Sequence, residues 1–332
     1  MKRRVIFVTG AAGFIGSNIV ARLSRDPDYD VVACDRLRGV ETGKWRNLAK
    51  SPIADFVAPE AMFDWLERNA HSVCAVVHMG AVSSTMELDA DHIIHSNFTL
   101  SRDLHRWCAE RQRRLIYASS AATYGAAESF VDADDIDSLA GLRPLNAYGW
   151  SKALFDLYAA RQAARNAAPP QWAGLKFFNV YGPNEAHKGR MMSVAAQIFP
   201  KIVAGEEVSL FSSHNPAYAD GGQLRDFVYV RDVVDVVEWL LSHDKINGVF
   251  NLGSGQARSF KDLAEAVFKA AGQPVQISYK PMPEQIREKY QYFTQADMNR
   301  LRAAGYDKQF TQLEAGVTDY VTGYLSKPDP YV

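Results

Sequence analysis

Three polar side chains near the middle of the chain are of the types that can transfer a proton to or from a substrate. Ser120 ends the apolar run RLIYASS, and Tyr148 and Lys152 are four residues apart in AYGWSKALFDLY. This spacing places the phenol and the amine on one face of a helix. A free phenol has a pKa of about 10 and is a poor base at neutral pH, but a nearby ammonium lowers that pKa. The trio predicts acid–base catalysis of an alcohol–ketone interconversion, with Ser120 bonding the reacting oxygen.

Through the first half of the chain, short apolar runs alternate with segments whose apolar residues recur at helical spacing. Four β-branched runs are typical of strands buried on both faces of a parallel sheet: RVIFVTG, DVVACD, CAVVHMG and RLIYASS. The alternation predicts an α/β fold, a doubly wound parallel sheet of the Rossmann type. Ligands bind such sheets at the carboxyl ends of the strands, where Gly10, Asp35, Gly80 and Ser120 occur.

A smaller lobe is expected after about residue 180, where polar loops rich in glycine and proline interrupt the alternation. We expect a dinucleotide-binding domain at residues 1–180, completed by a strand or two from later in the chain. A C-terminal α/β substrate-binding lobe is expected at residues 181–332. The predicted apolar stripe of the helix that follows Tyr148 consists of Leu154, Leu157 and Tyr158.

The stretch VTGAAGFIG places glycines at positions 10, 13 and 16, directly after a strand and at the start of a helix. Gly10 suits the tight turn, Gly13 the close approach of a pyrophosphate, and Gly16 the packing of helix on strand. A phosphate would bind at the helix N-terminus, where free N–H groups and the helix dipole favour an anion. A plain strand–helix turn is the alternative interpretation, and the other motifs favour a dinucleotide site.

The residues after the second strand bear on which dinucleotide binds. Asp35 follows the glycine turn by about 20 residues, the distance at which an acidic side chain bonds the adenosine ribose. Arg36, Arg38 and Lys44 come next, and such cations suit a 2′-phosphate. We predict NADP, with NAD as the alternative. Each cation could instead be a solvated loop charge.

Composition excludes several classes of function. The 332 residues include 37 basic and 38 acidic ones, a balance that predicts no nucleic-acid partner and no membrane association. Three scattered cysteines predict neither a disulfide framework nor a metal site, and favour a reducing, cytoplasmic location. The sequence contains no apolar stretch of the length needed to span a bilayer.

The motifs TGAAGFIG, SSAATYG and YGWSK resemble the extended short-chain dehydrogenase/reductase family, whose members act mostly on nucleotide sugars. Within it, FNVYGPNEAHKG, RDFVYVRDVVDV and FTQADMNRLRAAGYDK resemble the ADP-L-glycero-D-manno-heptose 6-epimerases nearly end to end. That resemblance implies an isomerase of lipopolysaccharide biosynthesis with tightly bound NADP. It would invert the exocyclic sixth carbon of ADP-heptose through a keto intermediate.

The resemblance also implies roles for particular residues. Two acid–bases on opposite sides of the sugar carbon map onto Tyr148 and Lys188, although Lys188 could instead only bind ribose or a substrate oxygen. The family's cofactor contacts map onto Phe14, Ile15, Asp35, Arg36, Lys44, Gly80, Ala81, Asn97, Lys152 and Val180. Its substrate contacts map onto Asn179, Arg190, Gln197, Phe211, Arg225 and Tyr290.

Arg225 is the residue best suited to clamp a diphosphate, because a guanidinium can bind its oxygens in a bidentate manner. A structural ion pair with Asp226 or Asp232 is the alternative. The chain departs from the family pattern at Met79, Arg190 and Gln197, and in the long loop at 212–224. These departures leave room for a related nucleotide sugar.

Other functions on the same fold remain open at this stage. A UDP-hexose 4-epimerase would use Ser120, Tyr148 and Lys152 but would not require Lys188. A 4,6-dehydratase would need an Asp–Glu pair where this chain has Ala121 and Ala122. A non-catalytic dinucleotide sensor would have no need of the trio. Apolar helical tracts make a homo-oligomer plausible.

Overall fold

The elements below come from a computed structural model, which describes residues 3–37, 43–85, 87–287 and 290–332. Arg38, one of the cations expected to favour NADP, lies outside the described residues. The described strands are β1 (Arg4–Thr9), β2 (Tyr29–Cys34), β3 (Asp55–Val57), β4 (Val73–His78), β5 (Arg114–Ser120), β6 (Trp172–Phe177), β7 (Asn179–Tyr181), β8 (Val208–Phe211), β9 (Leu224–Tyr229), β10 (Gly248–Leu252), β11 (Ala257–Ser259) and β12 (Ile277–Lys280).

The helices alternate with these strands. The described α-helices are α1 (Phe14–Leu23), α2 (Met62–Asn69), α3 (Ala90–Ile93), α4 (Leu100–Glu110), α5 (Ile136–Ala140), α6 (Ala147–Ala164), α7 (Val194–Val203), α8 (Val230–Ser242), α9 (Phe260–Ala270), α10 (Glu284–Arg287), α11 (Asn299–Ala303) and α12 (Leu313–Tyr320). Short 3₁₀ turns occupy Lys44–Asn47, Pro59–Ala61, Ala121–Tyr124 and Ala186–Met191, and π turns occupy Ile94–Thr99 and Val321–Leu325. None of the described helices has the length and apolar character of a membrane span.

Seven parallel strands form the central sheet, in the order β10-β6-β5-β4-β1-β2-β3. The strand order reverses between β1 and β4, so a crevice opens between the turns that follow these strands. Gly10 and Gly80 lie at that crevice. The predicted doubly wound parallel sheet is confirmed, and β10 is a strand returned to it from late in the chain.

Helices cover both faces of this sheet. On one face, α1 and α8 share a core with the strands that includes Ile19, Val20, Val233 and Val237. On the other, α2, α4 and α6 contribute Leu66, Leu104 and Phe155. Because strands buried on both faces need apolar side chains throughout, their sequences are continuous apolar runs. The sequence reading did not identify β3 or β6.

A smaller α/β unit follows the main sheet in the chain. β9 pairs with β7 in parallel and with β11 in antiparallel fashion, and β8 pairs with β12 in parallel. Helices α7, α9 and α12 pack together over these strands in a separate core. The proposed boundary at residue 180 stays a prediction.

The helix α6 buries more than its predicted apolar stripe. Leu157 and Tyr158 are half-buried and pack against the core on this face of the sheet, together with the fully buried Phe155. Lys152 and Asp156 are buried as well, and Asp156 accepts hydrogen bonds from three groups of β5 and β6. The buried surface of α6 therefore combines apolar packing with a charged part that the apolar pattern did not predict.

Candidate active site

Ser120, Tyr148 and Lys152 meet beside the end of β5. The side chain of Asn146 accepts the N–H of Gly149 at 2.8 Å and so fixes the start of α6. One turn in, Lys152 donates its Nζ proton to the carbonyl oxygen of Ala118 at 2.8 Å. The Ser120 side chain caps the 3₁₀ turn that follows it by accepting the N–H of Ala122 at 3.1 Å.

Burial sets the protonation of this group. It lowers the pKa of Lys152 to about 8, against the opposing charge of Asp156. Burial raises the pKa of Tyr148, and a hydrogen bond with Ser120 acts in the opposite direction. This direction differs from the one expected from sequence, because burial of the phenol outweighs the effect of its neighbours. The raised pKa favours the neutral, protonated form of the Tyr148 phenol.

A buried charged network lies beneath the serine. Asp156 accepts hydrogen bonds from Ser119 Oγ at 2.7 Å and from Lys176 Nζ at 2.9 Å. Lys176 also donates to Thr123 Oγ1 at 2.7 Å, and Thr123 Oγ1 donates to the carbonyl oxygen of Ser120 at 2.9 Å. Because each buried charge has partners, the network fixes the turn that carries Ser120.

The glycine turn after β1 leaves no room for side chains. Gly10 has a φ of +62°, and a Cβ there would lie 2.6 Å from the N atom of Gly80. A Cβ on Gly16 would lie 2.1 Å from the carbonyl oxygen of Gly10. Gly13 precedes the first residue of α1, and within the described ranges no side chain caps the start of that helix. The first N–H groups of α1 are therefore available to an anion.

Two adjoining clefts run over this turn. They have volumes of about 480 and 500 Å³, and the residues common to both are Gly10, Asp35, Gly80, Ala81 and Val82. Phe14, Ile15, Tyr148 and Lys152 line the first cleft, and Arg36 lines the second. An elongated ligand with an anionic middle would fit, with one end beside the proposed catalytic residues. These residues suit a nicotinamide dinucleotide.

Asp35 forms an ion pair rather than presenting a free carboxylate. Its Oδ1 lies 2.6 Å from Lys44 Nζ, and its Oδ2 accepts the N–H of Ala12 at 2.8 Å. Arg36 forms an ion pair with Glu60 instead, at 3.0 Å from its guanidinium to the Glu60 carboxylate. Lys44 is therefore the cation held at the ribose end of the turn.

His78 supports the same crevice, although the sequence reading did not single it out. Its Nδ1 lies 2.6 Å from Thr9 Oγ1, and Thr9 Oγ1 accepts the N–H of Gly80 at 3.1 Å. On the other side, His78 Nε2 lies 2.9 Å from Ser101 Oγ. Burial lowers the pKa of His78 to about 3, so the imidazole is neutral. A histidine at the end of β4, opposite Thr9 in register, was the available signal.

Lys188 lines the first cleft. It belongs to the 3₁₀ turn Ala186–Met191, and its Nζ lies 5.2 Å from the ring centre of Phe14. Burial lowers the pKa of Lys188, and the charge of Glu185 opposes that shift. Lys188 and Tyr148 both line this cleft.

Two asparagines that the sequence reading missed hold the Lys188 turn against the dinucleotide cleft. Asn47 Nδ2 lies within hydrogen-bond distance of the carbonyl oxygens of Ala12 and Asn184, at 2.9 and 3.1 Å, and of His187 Nδ1, at 3.1 Å. Asn184, at a φ of +72°, donates to Ser17 Oγ at 3.0 Å. The bonds from Asn47 to Asn184 and His187 join segments about 140 residues apart, which no local pattern reveals.

The comparisons with known proteins agree with this architecture. The model of the family described as "NAD dependent epimerase/dehydratase family" matches residues 6–253. The chain belongs to this family. A curated relative from Nitratidesulfovibrio vulgaris, named ADP-L-glycero-D-manno-heptose-6-epimerase, is 48% identical over 327 residues, which cover 98% of this chain and 99% of the relative.

Two solved structures are also similar to this member of the epimerase/dehydratase family. The Helicobacter pylori ADP-L-glycero-D-manno-heptose-6-epimerase is 28% identical with a TM-score of 0.78, covering 97% of this chain and 96% of that chain. The Thermus thermophilus UDP-glucose 4-epimerase, solved in complex with NAD, is 26% identical with a TM-score of 0.74, covering 96% and 98%.

In the smaller α/β unit, Arg225 does not form either of the ion pairs considered from sequence. Asp226 instead accepts hydrogen bonds from Ser254, Gly255 and Ala296, and Asp232 accepts two from Thr311. Within the described part of the chain, Arg225 has no carboxylate partner. Its guanidinium stacks on aromatic rings, 5.2 Å from the ring centre of Tyr290 and 5.7 Å from that of Phe260.

Aromatic residues surround this arginine. Phe211 packs edge-on against Tyr290, with ring centres 6.5 Å apart, and Tyr290 packs against Tyr292 at 5.4 Å. Tyr218, from the long loop at 212–224, packs on Tyr292 at 5.1 Å. These tyrosines line a third cavity of about 520 Å³. The loop is therefore part of a structured pocket.

Several predicted contacts do not line the clefts. Asn97 is buried, and its side chain bonds both the N–H and the carbonyl of Val82 and also Ser151 Oγ. Asn179 and Arg190 are exposed, and Val180 is half-buried between two core clusters. Gln197 donates to the carbonyl oxygens of Arg190 and Met192 at 3.3 and 2.7 Å. The side chains of Asn97 and Gln197 therefore bond the backbone of neighbouring loops: Asn97 bonds Val82, and Gln197 bonds Arg190 and Met192.

The described residues include no cluster of three or more His, Cys, Asp or Glu side chains suited to a metal ion.

Proposed function

We propose that this protein is an ADP-L-glycero-D-manno-heptose 6-epimerase that inverts the exocyclic sixth carbon of its nucleotide sugar. One observation carries the proposal: Tyr148 and Lys188 come from separate parts of the fold and line the same cleft. A dehydrogenase needs one acid–base at this position. Two acid–bases in one cleft suit an epimerase whose substrate hydroxyl exchanges its proton from a different side in each configuration of the sugar carbon. The name of the relative that is 48% identical supports this choice.

The protonation states of the two residues suit complementary roles. Burial favours the neutral phenol of Tyr148 and moves Lys188 towards its neutral amine. In one direction Lys188 takes the proton of the substrate hydroxyl, and Tyr148 later donates a proton to the re-formed oxygen. In the other direction the roles exchange. Ser120 would hold the substrate oxygen, and the Lys152 ammonium would stabilise Tyr148 whenever it is a phenolate.

The dinucleotide would bind with its pyrophosphate on the start of α1 and its nicotinamide beside Tyr148. When bound, it would supply the hydride acceptor and donor that the reversible oxidation of carbon six requires. We propose NADP rather than NAD, because the Lys44 ammonium already neutralises Asp35 and lies where a 2′-phosphate would need a cation. In the NAD mode, Asp35 would bond the ribose hydroxyls instead.

We further propose that Arg225 binds the diphosphate, since it is a half-buried guanidinium without a carboxylate partner among the described residues. In this scheme residues 1–180 with β10 hold the dinucleotide, and most of residues 181–332 hold the nucleotide sugar. A homo-oligomer is expected and stays a prediction.

Purified protein tests the proposal directly. Incubation with ADP-D-glycero-D-manno-heptose and no added cofactor should give the L-epimer, with inversion followed by NMR. The same incubation with UDP-glucose should give no galactose epimer. Activity on UDP-glucose but none on ADP-heptose would favour the UDP-hexose 4-epimerase alternative. A Lys188→Ala variant that retains full epimerisation would exclude the two-base mechanism.

A further inference from the structure

Glu185 is a buried carboxylate at the start of the Lys188 turn. Glu185 is fully inaccessible to solvent. Oε2 accepts the N–H of Ser193 at 2.6 Å, and Oε1 accepts Ser193 Oγ–H at 2.6 Å and the Tyr320 hydroxyl at 3.1 Å. Three hydrogen bonds satisfy a carboxylate that would otherwise be costly to bury.

These bonds close the loop that carries the lysine. Glu185 precedes the 3₁₀ turn, and its carbonyl oxygen accepts the N–H of Lys188 at 2.9 Å. Ser193 follows the turn and is the N-cap of α7, where its Oγ accepts the N–H of Ala196. A single side chain thus joins both ends of the segment 185–193. Tyr320 ties the same point to α12.

Glu185 also lacks an ion-pair partner among the described residues. Burial raises the pKa of the Glu185 carboxyl, and its hydrogen bonds with Ser193 and the positive charge of Lys188 oppose that shift. The charge of Glu185 in turn opposes the lowering of the Lys188 pKa by burial. The other titratable groups close to this pair are Tyr320, which bonds Glu185, and His187, whose pKa burial lowers to about 4. Glu185 is therefore the acidic side chain whose charge acts on Lys188.

We propose that Glu185 is a positioning residue for Lys188: it closes the 185–193 loop and favours the protonated form of the amine. This inference rests on the proposed role of Lys188 as the second acid–base. In this role the buried carboxylate stabilises the ammonium form of Lys188 after the lysine has taken the substrate proton. Glu185 acts through Lys188 and does not contact the sugar.

The substitution Glu185→Gln separates charge from shape. The amide oxygen can accept the Ser193 N–H, while the NH₂ group can donate to the hydroxyl oxygens of Ser193 and Tyr320. The hydrogen-bond count is preserved and the negative charge is removed. Asp232→Asn is the matched control, because Asp232 is buried and bonds the N–H and hydroxyl of Thr311 in the same pattern, at 2.9 and 2.8 Å.

The first measurement is the titration of Lys188 in purified protein. Competitive acetylation with acetic anhydride, quantified by mass spectrometry from pH 7 to 10, gives the fraction of free amine, with Lys44 as the internal reference. Without the carboxylate we expect Lys188 to acetylate at least about threefold faster at pH 8, with its midpoint moved to lower pH. Asp232→Asn should leave both lysines unchanged. An unchanged or higher midpoint in Glu185→Gln would overturn the proposal.

The second measurement is epimerisation. Glu185→Gln should lower kcat at least about tenfold with KM within about twofold, and Asp232→Asn should alter neither. A loss confined to KM would assign Glu185 to substrate binding and overturn the proposal. If Glu185→Gln does not fold, Tyr320→Phe removes one bond to the same oxygen, and it should lower kcat about two- to fivefold; an unchanged kcat there counts against the proposal. The acetylation result is independent of substrate, so it stands even if ADP-heptose is not epimerised.

Discussion

The Lys44 ammonium lies 2.6 Å from the Asp35 carboxylate, and that carboxylate also receives the N–H of Ala12 in the glycine turn at 2.8 Å. A cation is thus held where the adenosine ribose would bind. If NADP binds, we expect Lys44 to contact the 2′-phosphate while Asp35 keeps its hydrogen bond with the N–H of Ala12. This ion pair makes the choice of dinucleotide testable.

Lys44→Met should weaken NADP binding by about 10- to 100-fold, because a charge-assisted bond to phosphate is lost. Binding of NAD should be unchanged or tighter, since Asp35 becomes free for the ribose hydroxyls. Calorimetry on stripped protein gives both affinities, and chromatography of denatured wild-type protein identifies the dinucleotide it carries. Arg36→Gln is the control: Arg36 already pairs with Glu60, so we expect a smaller loss. Equal losses for NAD and NADP would contradict this assignment.

The loss of activity at alkaline pH should follow the deprotonation of Lys152. Its pKa is lowered to about 8 by burial, so the ammonium is present below that pH and is lost above it. Without the charge the Tyr148 phenolate is less stable, and kcat/KM should fall as pH rises through about 8. Lys152→Arg, which stays charged, should have lower activity but no fall near pH 8. A wild-type profile that is flat to pH 10 would rule out this role.

Arg225→Gln should weaken ADP binding by about 10- to 100-fold, because the guanidinium has no carboxylate partner among the described residues to occupy it. The stability cost should stay within about 1–2 kcal/mol, the value of its contacts with Tyr290 and Phe260. Arg258 is the matched control, since it sits opposite Arg225 in register and pairs with Glu314 and Asp262. Titration calorimetry with ADP should show Arg258→Gln close to wild type. Similar affinities for all three proteins would argue against a diphosphate clamp.

His105→Phe should stabilise the protein. Both ring nitrogens of His105 are buried, between the rings of Phe155 and Tyr158, and neither has a hydrogen-bond partner among the residues that the structure describes. Removing two unsatisfied polar atoms should raise the free energy of unfolding by about 1–2 kcal/mol at pH 7.5. Urea denaturation measures the change, and exposed His71→Gln should show none.

The same variant should also be less sensitive to acid. Burial lowers the pKa of His105 to about 4, whereas in the unfolded chain it is about 6.5. The unfolded state therefore binds the extra proton first, and stability is lost as pH falls from 6.5 towards 4. Between pH 7.5 and 5 this amounts to about 2 kcal/mol that His105→Phe would retain. Parallel losses in both proteins would contradict the buried neutral imidazole.

Local sequence was sufficient for the general part of the site. The glycine turn, the strand that ends at Ser120 and the four-residue spacing of Tyr148 and Lys152 each lie within one short segment. Strand and helix periodicity predicted the doubly wound sheet, and the carboxyl ends of parallel strands must meet at one edge. β3 was missed because it is only three residues long. The burial of Lys152 and Asp156 on α6 was not predicted, because charged residues normally lie on the exposed face of a helix.

The tertiary structure decided the features specific to this protein. Whether Lys188 reaches the cleft depends on hydrogen bonds from Asn47 and Asn184 that join distant segments. Whether Arg225 is free depends on which partners Asp226 takes. Sequence pattern reports contacts within a turn or two of helix or between neighbours on a strand. Hydrogen bonds across more than a hundred residues form only once the chain has packed, and those bonds determine which charges face the cleft.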